Sequence, residues 1–278
     1  MKWAILSGIE GNLAAYEAVL KDLRQLRQSV TELYVLGDVI GLQGDNRKDA
    51  ARNGNVQSDN LQNNNLKSNN LQSDNEAVIR RLRHPGAGEL KPQVCVGWWE
   101  EQCFSLHGMS GMPDAPELMA AVGGDGVQAL WESVSRKSVQ WLRSQHFGFH
   151  ELDCLLIHGS MAGYADELTP ETPAIELCDR LIRSDANHLF CGRSGRTFEC
   201  WVTPTQLHST VTTLDGPQPT QDQSKSPRRV VGVGSVGRTP GQATYTLYSP
   251  GSDQLSFRTV NYGQAKREKV KGFGARQV

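Results

Sequence analysis

Nowhere in this 278-residue sequence is there an apolar run long enough to cross a bilayer. The opening Met1-Lys2-Trp3-Ala4-Ile5-Leu6 passes into Ser7 and Gly8 before it could form the core of a secretory signal, so a soluble, cytoplasmic chain is expected. Net charge is missing too. Lys+Arg 29 against Asp+Glu 30 leaves −1, so the chain as a whole has no electrostatic preference for nucleic acid or an anionic membrane, and any anion site must be local. The six cysteines (Cys95, Cys103, Cys154, Cys178, Cys191 and Cys200) contain no C-x-x-C pair, which removes the usual zinc and redox spacings. They read as free thiols serving mainly as small core residues. No Pro/Gly/Ser linker divides the chain cleanly, and one domain over residues 1–263 is expected.

What is present begins as strand, turn and helix. Trp3 to Leu6 is a short apolar run, Gly8 and Gly11 punctuate it, and Asn12 can cap the helix that follows. Leu13, Tyr16, Leu20 and Leu23 recur at helical spacing with charged residues between them, the pattern of a helix laid on a sheet. A second buried strand, Leu33-Tyr34-Val35-Leu36, ends at Gly37-Asp38. Strand–helix–strand makes a parallel unit, and such units place ligands at the carboxyl ends of their strands. Further strands are expected at Val94–Val96, Leu152–Ile157 and Leu189–Cys191, and helices over Ala115–Val122 and Val127–Leu142, with Trp131 and Trp141 as core residues. Thr210 to Arg229 is polar and proline-containing and reads as a long loop. Thr244–Tyr248 and Leu255–Val260, joined across Pro250-Gly251-Ser252-Asp253, read as a hairpin.

Residues 53–75 follow a period of five: Val56-Gln57-Ser58-Asp59-Asn60, Leu61-Gln62-Asn63-Asn64-Asn65, Leu66-Lys67-Ser68-Asn69-Asn70 and Leu71-Gln72-Ser73-Asp74-Asn75 echo one another. Four such repeats supply about one coil of a pentapeptide β-helix and no stacked core, so a polar, mobile low-complexity insertion is expected, interrupting a loop or a helix. The basic tail over residues 264–278 is expected to be disordered.

The strand ends form an ordered series: Ser7-Gly8-Ile9-Glu10-Gly11-Asn12, Gly37-Asp38-Val39-Ile40-Gly41, Gly97-Trp98-Trp99-Glu100, His158-Gly159-Ser160, Gly192-Arg193-Ser194-Gly195 and Gly234-Ser235-Val236-Gly237. In order and spacing this series resembles the motifs of the calcineurin-like metallophosphoesterases, and the resemblance covers nearly the whole chain outside the repeat and the tail. It implies an αββα sandwich of two mixed sheets, and a hydrolase fold acting on phosphate esters. In that family two divalent ions share a bridging Asp, activate a water and clamp the phosphate. Carried over residue by residue, the first Asp of the family falls on Gly8, its first His on Glu10, the bridging Asp on Asp38 and the metal-binding Asn on Trp98. The catalytic His falls on Trp99, a further His ligand on His158, and the last two on Arg193 and Gly195.

Gly8 and Gly195 have no side chain to offer, and the Trp98 indole carries only a donor nitrogen. The remnant site is therefore Glu10, Asn12, Asp38, His158 and Arg193. No cofactor is expected; if one binds, it is a single divalent metal, manganese, iron or zinc, at Glu10, Asp38 and His158. Three readings of Arg193 stand open. Its guanidinium could fill the vacated space and pair with Asp38, Glu10 or both, since stranding buried carboxylates is strongly destabilising. It could be a solvated loop charge, along with Glu10 and Arg196. With Arg196 or Arg238 it could receive a phosphate, helped by the backbone donors of Gly11 and Asn12. Trp98 and Trp99 are expected to plug the cleft, an exposed pair being an invitation to association. His107-Gly108 imitates His158-Gly159 by coincidence, His146 and His150 read as surface or packing residues, and Ser160 and Ser235 have no His/Asp companions that would make a serine hydrolase. The chain is thus expected to be a pseudoenzyme-like binding or interaction protein, with a nucleotide or other phospho-ligand as candidate partner, no membrane or nucleic-acid partner, and an oligomeric state left open. The alternative is a phosphoesterase with the single-metal site.

Overall fold

A computed structural model of the chain describes residues 1–26, 30–42, 73–110, 115–202 and 228–263. Its first sheet holds β1 (Trp3–Leu6), β2 (Glu32–Leu36), β3 (Gln93–Cys95), β9 (Gln242–Ser249) and β10 (Gln254–Asn261) in the order β10-β9-β1-β2-β3. The second holds β4 (Gly148–Glu151), β5 (Cys154–Ile157), β6 (His188–Cys191), β7 (Thr197–Val202) and β8 (Arg228–Val233) in the order β4-β5-β6-β8-β7. Each sheet is mixed. β1, β2 and β3 run parallel, β9 pairs antiparallel with β1, and β10 pairs antiparallel with β9; β5, β6 and β8 run parallel, with β4 and β7 antiparallel at the edges.

Every residue of β1 is wholly buried because the strand is covered on both faces, the usual fate of parallel strands. Trp3 and Ile5 face the second sheet and pack with Tyr34, Leu36, Leu156, Phe190 and Val231. Trp3 meets Tyr34 and Tyr248 edge-on at 5.5 and 5.7 Å, a favoured aromatic geometry. Ala4 and Leu6 face the other way, into a cluster with Tyr16 and Val19 of α1 (Leu13–Gln25) and Val78 and Leu82 of α2 (Asn75–Arg83). α3 (Trp98–Leu106), α4 (Pro116–Ser133) and α5 (Arg136–Arg143) complete that layer. On the outer face of the second sheet, Leu155, Ile157, Leu189 and Val230 pack against Leu177 and Leu181 of α6 (Ala174–Ser184). The result is the expected αββα sandwich. Asn12 caps α1, its Oδ1 accepting from the Ala15 amide at 3.0 Å.

Several expectations need correction. The helical stretch Val127–Leu142 is broken at Val134, where Ser135 caps the separate α5, and Gly123 interrupts α4 with φ +69°. Trp131 is not core but 51% exposed, while Trp141 is half-buried with the Arg83 guanidinium 5.8 Å above its ring. Leu152 lies in a turn, 68% exposed, so that strand starts only at Cys154. Arg228 and Arg229 are not loop residues. They open β8, and Arg229 is buried because Glu199, Asp253 and His188 surround its guanidinium, with Trp201 and Tyr248 stacked on it. Residues 203–227 of that expected loop, residues 53–72 of the repeat and the tail over 264–278 lie outside the described residues. Ser73, Asp74 and Asn75, the end of the repeat, are placed within the fold. The Asp74 amide donates to Gly11 O at 2.9 Å, and Asn75 is fully buried.

Candidate functional site

The loops leaving the parallel strands meet at one rim. Glu10 N donates to Asp38 O at 2.8 Å, Gly192 N to His158 O at 2.8 Å and Gly237 N to Gly8 O at 2.7 Å, so chain segments far apart in sequence are stitched by backbone alone. Glu10 and Asp38, at the ends of β1 and β2, both adopt left-handed backbone with φ 51°. For residues other than glycine this conformation costs on the order of 1 kcal/mol or more, and it clusters where geometry serves function. The close approach of β2 and β3 requires Gly97, since a Cβ there would lie 2.2 Å from the Asp38 amide nitrogen.

Asp38 and His158 are fully buried and face one another, His158 Nε2 standing 3.3 Å from Asp38 Oδ1. His158 Nδ1 is 2.8 Å from Leu36 O, so that nitrogen carries the proton and donates to the carbonyl. Burial pushes the His158 pKa below its ordinary value, and the Arg193 and Arg238 charges add to this against the pull of Asp38 and Leu36 O. The ring is therefore neutral, with its Nε2 lone pair turned toward a carboxylate. Asp38 Oδ1 accepts from the Trp99 amide at 3.0 Å, whereas Asp38 Oδ2 and His158 Nε2 are buried without a hydrogen bond.

The cation beside them is Arg238. Its Nε donates to Glu10 Oε1 at 3.0 Å, its Nη1 to Arg193 O at 3.2 Å, and its Nη2 lies 3.6 Å from Asp38 Oδ2. Burial works against this charge, but Glu10 and Asp38 outweigh it and hold the pKa above its usual value. Gly195 makes room: with φ +66° and no side chain, it lets the guanidinium lie where a Cβ would come within 2.4 Å of Nη1. Ser235 braces the same segment, donating to Gly8 O at 3.0 Å and accepting from the Arg238 amide at 3.2 Å.

The expected pairing of Arg193 with Asp38 or Glu10 is corrected by this arrangement. Arg193 lies over Trp98 instead, its guanidinium carbon 4.7 Å from the ring centre and its Nε buried without a hydrogen bond. Arg196 is turned outward, forked onto Glu171 at 2.5 and 3.0 Å on the surface. Trp98 and Trp99 are buried at 6% and 4% exposure and meet edge-on at 5.1 Å, so they fill the cleft floor rather than form a surface. Trp98 Nε1 donates to Glu117 at 3.2 Å. Asn12, besides capping α1, donates from Nδ2 to Tyr262 Oη at 2.8 Å and to Gly237 O at 3.4 Å.

One residue of the site was missed. Glu100, 1% exposed, takes the amides of Asp38 and Gly97 on Oε2, each at 2.8 Å, and that of Ile40 on Oε1 at 3.0 Å. Burial and then Asp38 raise its pKa, while the three amides oppose the rise. A glutamate three residues after the residue preceding a helix is a capping signal, and Gly97-Trp98-Trp99-Glu100 carries it. The remaining candidates lie apart from this chemistry. Ser160 donates to Asp166, which binds Arg180; His107 stacks near Trp131; His150 is exposed on β4; and His146 gives its carbonyl to the Val96 amide.

Among the described residues, no three His, Cys, Asp or Glu side chains converge as a metal-holding group.

The architecture is a metallophosphoesterase-like fold. A solved structure of a metallophosphoesterase from Sphaerobacter thermophilus superposes with a TM-score of 0.58 over 95% of this chain and 90% of that one, at 17% identity. No family model and no curated protein matches the sequence. Among the described residues no helix is long and apolar enough to cross a membrane.

Proposed function

We propose that this chain is a pseudoenzyme of metallophosphoesterase fold, serving as a binding or interaction protein without two-metal hydrolysis. The reading is supported by the Arg238 guanidinium, which sits among Glu10, Asp38 and the Arg193 carbonyl and so sets a fixed positive charge beside the residue that the resemblance makes the bridging ligand. A divalent ion beside it would meet a repulsion on the order of 4 kcal/mol per unit charge at 4 Å and an effective dielectric near 20. The donor set does not fit a pair of ions, and no hydrolytic step is derived through them. A phosphate-bearing ligand is the favoured partner class. Arg193, over the Trp98 ring and with no ion pair among the described residues, supports this partner class as a guanidinium suited to bidentate phosphate binding.

A single-metal phosphoesterase is the second reading, favoured by the orphaned pair Asp38 Oδ2 and His158 Nε2, whose buried lone pairs would suit a cation. Metal analysis of the purified protein, with phosphomonoester and phosphodiester assays in manganese, separates the two. The first predicts substoichiometric metal and no turnover; stoichiometric metal with turnover abolished by Asp38→Ala establishes the second. Calorimetry against a nucleotide panel tests the ligand class. Binding weakened about tenfold or more by Arg193→Ala is expected, given the usual strength of charge-assisted bonds. Uniform absence of heat would remove the phospho-ligand from the reading.

A further inference from the structure

We propose that Arg238 is an internal substitute for a divalent ion: its guanidinium neutralises Glu10 and Asp38 and so bars metal from the cleft, and removing it uncovers a single-cation site at Asp38 and His158. The inference rests on the reading of the chain as lacking two-metal catalysis and gives that loss one responsible side chain.

Three observations converge on it. Asp38 is wholly buried and Glu10 nearly so, and an uncompensated buried carboxylate is strongly destabilising. Arg238 supplies the compensation from Nε to Glu10 at 3.0 Å and from Nη2 toward Asp38 at 3.6 Å. The seat is shaped around it: Gly195 has no Cβ to crowd Nη1, Arg193 O accepts from Nη1, and Ser235 Oγ accepts from the Arg238 amide. The fit is nonetheless incomplete. Asp38 Oδ2 has only a long ion-pair contact, and His158 Nε2 has no donor at all. Asp38 Oδ2 and His158 Nε2 are thus buried lone pairs beside a guanidinium that balances charge without hydrogen-bonding to either.

The test uses the full chain and Co2+ as the probe, read by calorimetry and by the visible absorption of the bound ion. Arg238→Ala is expected to take up one equivalent of Co2+ with affinity at least about 100-fold above the unsubstituted protein, the charge repulsion being gone. Asp38→Ala placed in the same chain should abolish that uptake, and methylguanidinium should compete with the ion for the emptied seat. Arg238→Lys, which keeps the charge, should exclude Co2+ as the unsubstituted protein does. Should Arg238→Ala not fold by itself, either Co2+ or methylguanidinium must restore its circular dichroism, and failure of both overturns the proposal. A folded Arg238→Ala that binds no more Co2+ than its parent overturns it as well. If instead the unsubstituted protein holds stoichiometric metal and hydrolyses phosphodiesters, it is the underlying reading that fails. A metal-free, inactive parent with an equally metal-free variant sinks this inference alone.

Discussion

Glu100 shows how much of the cleft is held by a group that need touch no ligand. One carboxylate collects three amides from two strand ends and so fixes the turn in which Asp38 sits. Glu100→Ala would leave three buried donors without acceptors, at about 1–3 kcal/mol each. We expect a loss of more than about 3 kcal/mol in urea unfolding with an unchanged denaturant slope. Glu100→Gln should recover only part, since its amide would turn a donor toward a donor; full recovery would show that the charge and its accepting lone pairs are dispensable. Gly195→Ala makes a different prediction. Its Cβ would displace Nη1 of Arg238, so its effect and that of Arg238→Ala should be non-additive in a double-mutant cycle, by about 1 kcal/mol or more. Simple additivity would mean that the guanidinium is not seated where Gly195 places it.

Among the elements, α1 and the C-terminal hairpin are clasped by Asp22. Its carboxylate accepts from Arg258 Nε at 2.8 Å, Arg258 Nη2 at 2.9 Å and Tyr245 Oη at 2.6 Å. The Arg258 bonds lower the Asp22 pKa, burial opposes them, and the Tyr245 bond helps. A carboxylate whose pKa is depressed by folding stabilises the fold above its unfolded value of 3.8 and loses that contribution as pH falls through the folded value. Asp22→Asn should therefore cost about 1–2 kcal/mol at neutral pH, with the two stability curves converging on acidification. A constant gap from pH 7 to pH 3 in urea titrations would argue that packing, not charge, makes the clasp.

The same scale explains what could be read from sequence. β1, β2, α1 and the hairpin declared themselves because a buried strand or a helix face repeats its apolar residues locally. β7 and β8 did not. β7 alternates Thr197, Glu199 and Trp201 with its buried residues, and β8 opens on two arginines whose compensating partners, Glu199 and Asp253, lie far along the chain. The cleft divided in the same way. Asp38 and His158 stood at legible strand ends, but the pairing of Glu10 with Arg238 spans 228 residues of sequence, which no local period can reveal. From sequence Arg238 is only a candidate phosphate contact, and Arg193 takes the place beside the carboxylates.

At the scale of the whole molecule, the chain before residue 43 and the chain after residue 72 are held side by side. Asn75 donates from Nδ2 to Gly41 O and accepts from Gly41 N on Oδ1, both at 3.1 Å, and donates to Ser133 Oγ at 2.8 Å. One amide side chain thus ties the chain just before residue 43 to the chain just after residue 72, so whatever lies between them leaves and re-enters by a single doorway. Closing roughly thirty residues rather than five costs only about 1.6 kcal/mol more in entropy, because the cost grows as the logarithm of length. Replacing residues 43–72 with a short Gly/Ser bridge should leave the unfolding midpoint of the domain within a few degrees, by calorimetry, and Asn75→Ala in either background should lower it by the same amount. A collapse of the shortened protein would place those residues inside the folding unit. If it stands, that doorway is a ready graft point, where a reporter peptide or a second module could be carried.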